Sequence, residues 1–405
     1  MIWLMARLCR VELKNATTLI VLGHVWNAFV GIGVFCILLG GSTSMPWLDF
    51  PTFVWPVLGI VYLLTVLCLL VMYRSRRDGS TFISQYYLIG AAVWFPWIFF
   101  TANLLVRQEG GSAVGSAGVN AWYMTNLIYF WMAPVALASA YYIIPKIVGR
   151  PIFSYQLAKF GFWSLAFLAG WTGFSRYLGG PFPAWMPAVS GAASIFILLS
   201  VLAVGINHYL TVRGRLNYWN FSPSLRFTLF GGIAFTVYAV LHALSGFFGL
   251  SRLLQFSQFS TGLDTLAIYG FFSMTVFGAI YFIVPRVTKC EWPSGAMIDR
   301  HFWFSTYGVG TLVFVLLVGG LAQGGAQYQW DLPFMNTVDI GGRYISGVII
   351  AWLLIGYSNI FFFYQLARMF VGYGRLSEGP TLIHAPAGAT SAAEAADLAA
   401  QRYQS

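Results

Sequence analysis

From Leu263 to Val284 the chain reads LDTLAIYGFFSMTVFGAIYFIV, broken by a single charge, Asp264. A helix needs roughly 20 apolar residues to cross the hydrocarbon of a bilayer. Runs of this kind recur along the sequence, near 17–40, 53–73, 85–106, 121–144, 161–180, 184–206, 226–250, 263–285, 302–322 and 343–367. Lipid satisfies no backbone group, so spanning segments are helices or strands of a closed barrel. Barrel strands alternate apolar and polar residues, and these runs do not. With 59% hydrophobic and 8% charged residues, the chain is too apolar for a soluble core. The expected fold is all-α, a polytopic membrane bundle of about ten transmembrane helices.

The net charge of +10 raises the question of nucleic acid, and its distribution excludes that reading. Taking the ends and loops in turn, one side collects 18 of the 22 basic residues, Arg7, Arg10 and Lys14 first and Arg368, Arg375 and Arg402 last. The other side holds Arg107, Arg176, Arg252 and Arg343. This is a positive-inside pattern. It places both termini in the cytoplasm and agrees with an even number of spans. Met1 to Arg10 carries no secretory pattern. A single integral domain is expected over 1–375. From about residue 376 the composition shifts to Ala, Ser and Gly, and a mobile cytoplasmic tail is expected over 376–405.

Candidate chemistry is sparse. Cys9, Cys36, Cys68 and Cys290 have no CxxC spacing, and none falls in an expected outside loop. Of five histidines, His208 and His301 are expected at the cytoplasmic ends of spans and His384 in the tail, leaving His24 and His242 inside the membrane. At about 1.5 Å per residue His24 lies about 10 Å deep and His242 about 24 Å, so one haem iron does not suit both. The plain reading is two hydrogen-bonded histidines. Intramembrane charge is costly and tends to be paired or functional. Arg176 and Asp264 are the clearest cases, both near the outer boundary. Trp47, Trp55, Trp122, Trp185 and Trp330 read as an interfacial aromatic belt, or as part of a docking surface. The Gly-rich stretch GGLAQGGAQ suits close helix packing. No Ser/His/Asp set, phosphate loop or carboxylate pair is present.

Several blocks carry a resemblance: WYMTNLIYFWMAPVALASAYYIIPKIVGRPIFSYQLAKFGFWSLAFLAGW, the helix at 262–287, and HFWFSTYGVGTLVFVLLVGGLAQGGAQYQW. They resemble the catalytic subunit I of cbb3-type cytochrome c oxidases, in the haem–copper oxidase superfamily. The likeness covers nearly all of 1–375 and matches the last ten of that family's twelve core helices. The helix bearing the family's first low-spin haem ligand has no counterpart.

The resemblance also assigns positions. The family's copper-ligand His falls on Thr125, in WYMTN. Its His-His pair falls on Ser175 and Arg176, and its active-site tyrosine on Ala169. Its His-x-His reads Leu263-Asp264-Thr265. None of these side chains is a haem or copper ligand. Arg343 falls on a basic position used near haem propionates and reads as a remnant. Arg176 and Asp264 replace or adjoin cavity positions, so an ion pair closing that cavity is expected. The resemblance thus implies a degenerate, haem- and copper-free pseudo-oxidase that scaffolds other redox subunits of a respiratory complex. Membrane-anchored c-type cytochromes, which carry their own haem, are the partners implied at the periplasmic face. One alternative is a quinone-binding or b-type-haem anchor using His24 or His242. A second is a working terminal oxidase or nitric oxide reductase subunit.

Overall fold

A computed structural model of the chain describes residues 1–372 apart from Lys14, Asp78, Glu109, Gly110 and Trp330. The expected tail over 376–405, with His384, lies outside the described residues, as does Trp330. The described chain is helical: α1 (Ile2–Cys9), α2 (Ala16–Leu38), α3 (Val54–Arg74), α4 (Ile83–Val106), α5 (Ala113–Leu127), α6 (Ala133–Val148), α7 (Tyr155–Leu168) and α8 (Trp185–Val212) come first. Then follow α9 (Tyr218–Phe221), α10 (Pro223–Ser245), α11 (Phe248–Leu254), α12 (Gln258–Thr265), α13 (Met274–Thr288), α14 (Gly295–Gln327), α15 (Phe334–Gly342) and α16 (Ile345–Phe370). Widened π-helical turns, Ile128–Met132 and Leu266–Ser273, join α5 to α6 and α12 to α13.

Among the described residues nine helical segments are long and apolar enough to cross a membrane. They match nine of the ten spans read from the sequence. The tenth, expected at 161–180, is broken. Helix α7 ends at Leu168 and gives way to 3-10 turns at Ala169–Trp171 and Phe174–Tyr177. The break has a local cause. Thr172 caps the turn with its hydroxyl on the Ala169 carbonyl (2.7 Å), and Gly173 takes φ 110°. A Cβ at Gly173 would stand 2.6 Å from the Trp122 Cα, so only glycine lets the backbones approach.

Several helices start earlier than hydropathy suggests, because capping side chains set their ends. Ser112 accepts from the Gly115 amide (3.0 Å) and begins α5 inside a stretch expected as loop. Ser294 accepts from the Met297 amide (3.4 Å) and starts α14 at Gly295 rather than near 302. Ser222 and Pro223 open α10 in the same way.

The chain packs as two units. The first comprises Met1–Ala138 and Lys159–Ile197. Here α1 is tied to α4 by the Gln85 amide, which donates to the Cys9 sulfur (3.3 Å). Burial pushes the Cys9 thiol up, while the Gln85 bond and Arg76 pull it down. Arg107 clamps the loop before α3, donating to the carbonyls of Phe50 (2.7 Å) and Leu48 (3.2 Å). Burial lowers its guanidinium from the usual value, and an arginine remains charged regardless. Of the tryptophans read as a belt, Trp55 is buried, Trp47 and Trp122 are partly buried, the Trp122 indole donating to the Gly170 carbonyl (2.9 Å), and Trp185 is exposed.

The second unit comprises Ser139–Ala158 and the described residues from Leu198 onward. Its glycines do what GGLAQGGAQ suggested. On α14, Gly320 lies against the Phe259 backbone of α12, and Gly324 against the Leu253 carbonyl of α11. Its core is aromatic, with Phe227, Tyr281, Trp292, Phe302 and Phe362 in one cluster.

Candidate functional site

In the first unit, three of the positions assigned by the resemblance share one corner. Thr125 lies on α5 between Trp122 and Asn126, whose side chains both reach the broken span: Trp122 to Gly170, and Asn126 to the Thr172 carbonyl (3.4 Å). Thr125 is fully buried, and its hydroxyl donates to the Ala121 carbonyl one turn back (3.1 Å). Ala169 is buried in the first 3-10 turn. Ser175 is buried in the second, where its amide donates to the Ser190 hydroxyl of α8 (2.9 Å). Arg176 follows it, half-buried.

In the second unit the family's His-x-His positions occupy the last turn of α12. Leu263 is buried. Thr265 spends its hydroxyl on the Thr261 carbonyl (2.7 Å), and Asp264 between them is half-buried. Arg343 is exposed, just past α15. Arg176 belongs to one unit and Asp264 to the other, and their pairing remains a proposal drawn from the resemblance.

These positions do not fit haem or copper. An iron or copper site needs imidazole, thiolate, thioether or similarly basic donors. Here the assigned positions supply two threonine hydroxyls, each bonded within its own helix, together with a serine, an aliphatic chain and a guanidinium, which carries no lone pair to give. Among the described residues no three His, Cys, Asp or Glu side chains gather as a metal site.

Among the described residues, His24 and His242 lie within helices long enough to cross a membrane, as the sequence suggested. His24 is exposed on α2, its Nδ1 within 2.8 Å of the Ile20 carbonyl. His242 is buried on α10, stacked on Tyr238. His208 lies one turn before α8 ends at Val212, and His301 lies past the first turn of α14, which begins at Gly295; both are buried. His301 is walled by Phe227, Phe277, Tyr281 and Phe362, with its Nδ1 2.8 Å from the Tyr281 hydroxyl. Beside this cluster Arg226, buried, pairs with Asp299 at 2.7 Å and donates to the Trp219 and Asn220 carbonyls.

Two features escaped the sequence. The π-helical turns begin three residues after Thr125 and directly after Thr265. Such turns are frequent at functional sites, and here they follow two of the positions assigned by the resemblance, Thr125 and Thr265. The His301 cluster left no readable signal beyond a dense run of aromatics.

The comparisons with known proteins agree with the fold. A family model described as cytochrome c and quinol oxidase polypeptide I matches residues 1–364. A "cytochrome c oxidase subunit 1 homolog" of Agrobacterium tumefaciens is 24% identical over 345 residues, 81% of this chain and 63% of that one. Its bacteroid counterpart from Bradyrhizobium diazoefficiens is 26% identical, over 84% of this chain and 67% of that one. A cbb3-type cytochrome c oxidase subunit CcoN1 of Stutzerimonas stutzeri is 27% identical, over 74% and 65%. The chain therefore spans about two thirds of the length of these relatives. A solved heme-copper terminal oxidase dimer shares the fold with a TM-score of 0.72 at 14% identity, covering 99% of this chain and 80% of its own.

Proposed function

Because this chain belongs to the cytochrome c and quinol oxidase polypeptide I family, we propose that it is a member without the oxygen chemistry: a haem- and copper-free subunit that scaffolds redox partners. It is a multi-pass protein of the bacterial inner membrane. The observation that carries the reading is the state of the five assigned ligand positions. Thr125 and Thr265 spend their hydroxyls on their own helices, and Ser175, Arg176 and Leu263 offer no suitable donor. Oxygen reduction needs iron and copper held together, and these residues hold neither in the family's manner. What persists is a large membrane-embedded scaffold. Its partners under this reading are membrane-anchored c-type cytochromes that bring their own haem and dock at the periplasmic face. That step follows family analogy.

The test is a haem spectrum with iron and copper quantification on the full chain, purified in detergent. No haem band and no stoichiometric metal is the expected result. Stoichiometric haem would overturn the reading, and His24 and His242 would then be the first residues to replace.

A further inference from the structure

From Gly111 to Leu263 the sequence holds no Asp or Glu, while carrying Lys146, Arg150, Arg213 and Arg215. The second unit gathers these four where two membrane helices end. Helix α6 stops at Val148 and α8 at Val212, and Gly149 and Gly214 turn the chain with positive φ just beyond. Arg150 donates through Nη1 to the Arg213 carbonyl at 3.1 Å, so the two arginines stand side by side. Three further bonds fasten the 150–154 segment along α8. Asn207 gives its amide to the Ser154 carbonyl (2.8 Å) and accepts from the Ser154 amide (3.0 Å). Thr211 accepts from the Phe153 amide (3.1 Å).

The result is a held arrangement of charge and apolar surface. Lys146, Arg150 and Arg213 are exposed, and no ion pair joins either arginine to a described carboxylate. Arg215 is already engaged, donating to the Tyr218 hydroxyl at 2.9 Å. Phe153 and Leu216 beside them are exposed as well. Guanidinium groups at a membrane boundary match phosphate oxygens, and adjacent exposed apolar side chains match the first carbons of acyl chains.

We propose that Arg150 and Arg213, with Lys146, form a site for an anionic phospholipid headgroup, its acyl chains lying against Phe153 and Leu216. The argument is charge complementarity. A cluster of cations with no carboxylate in its own stretch of chain, fixed by backbone bonds before any ligand arrives, loses little freedom on binding a phosphate. The site is independent of whether the chain holds haem.

The experiment is native mass spectrometry of the full chain in nanodiscs of mixed phosphatidylglycerol and phosphatidylcholine, followed through delipidation. Wild type is expected to retain phosphatidylglycerol over phosphatidylcholine, and to lose it as salt rises. The double substitution R150Q/R213Q should weaken retention by about thirty-fold. R150K/R213K should keep most of it. R74Q/R77Q removes the same charge at another helix end and should leave retention unchanged. Equal loss in the two Gln pairs would show bulk attraction only and overturn the site, as would equal retention of the two lipids by wild type. The salt and lipid comparison on wild type keeps the test decisive if R150Q/R213Q fails to fold.

Discussion

His301 shows how little of a membrane core a residue list reveals. Its Nδ1 meets the Tyr281 hydroxyl, while its Nε2 is buried without a hydrogen-bond partner among the described residues. An unsatisfied buried polar group carries its full desolvation penalty, whereas replacing both members of a pair by apolar groups of the same shape is nearly neutral. Tyr281→Phe strands the second imidazole nitrogen and should cost about 1–3 kcal/mol. The double replacement Y281F/H301F leaves four aromatic rings around a fifth and should be less destabilising than Y281F alone. Thermal unfolding in detergent, arranged as a double-mutant cycle, measures this. A double variant as unstable as the sum of its singles would mean that the hydrogen bond does not couple the two. The identities at Thr125, Ser175 and Thr265 were legible in the sequence because a resemblance fixed their register. The burial of His301 was not, since nothing in one chain's letters marks which neighbours a ring meets.

At the scale of elements, the apolar runs announced the helices but not their ends or their breaks. These helices are apolar nearly all round, so the 3.6-residue period that marks a buried face in a soluble helix carries little signal. The ends were set instead by single caps such as Ser112 and Ser294, and the break in the fifth span by Thr172 and Gly173. The π-helical turns have no sequence marker. The Gly-rich stretch of α14 was read correctly for its role in packing, and the structure separates its glycines. A Cβ at Gly324 would collide with the Leu253 carbonyl, whereas one at Gly325 meets nothing within 4 Å. Gly324→Ala should therefore destabilise by about 1–3 kcal/mol as overpacking against rigid backbone. Gly325→Ala should be neutral or stabilise by up to about 1 kcal/mol, from helix propensity alone. Unfolding midpoints of the two single variants decide the matter. Equal midpoints would remove Gly324 from the α11–α14 contact.

At the scale of the molecule, the broken span decides topology. Among the described residues nine helical segments are long and apolar enough to cross, and an odd number of crossings puts the two ends on opposite sides. The basic residues argue for one more crossing. Arg150 precedes the segment 155–177, and Arg213 and Arg215 follow α8. If that segment did not cross, α8 would deliver Arg213, Arg215 and every later basic cluster in reversed order, with Arg286, Lys289 and Arg300 outside, against the positive-inside bias. Helix α7 together with its first 3-10 turn covers Tyr155–Trp171, about 27 Å at 1.5 Å per α-helical and 2.0 Å per 3-10 residue. The hydrocarbon is about 30 Å thick, and the remaining turn through Tyr177 supplies the difference. The interrupted segment is therefore long enough to cross, with its non-helical backbone satisfied by Trp122, Asn126 and Ser190 rather than exposed to lipid. Single cysteines placed at Ala184 and Asn217, in a background freed of the four native cysteines, test this in intact cells with a membrane-impermeant maleimide. Ala184→Cys should label from outside and Asn217→Cys only after permeabilisation. Labelling of Asn217→Cys from outside, with Ala184→Cys reached only after permeabilisation, would return the segment 155–177 to one side of the membrane and make the crossing number odd.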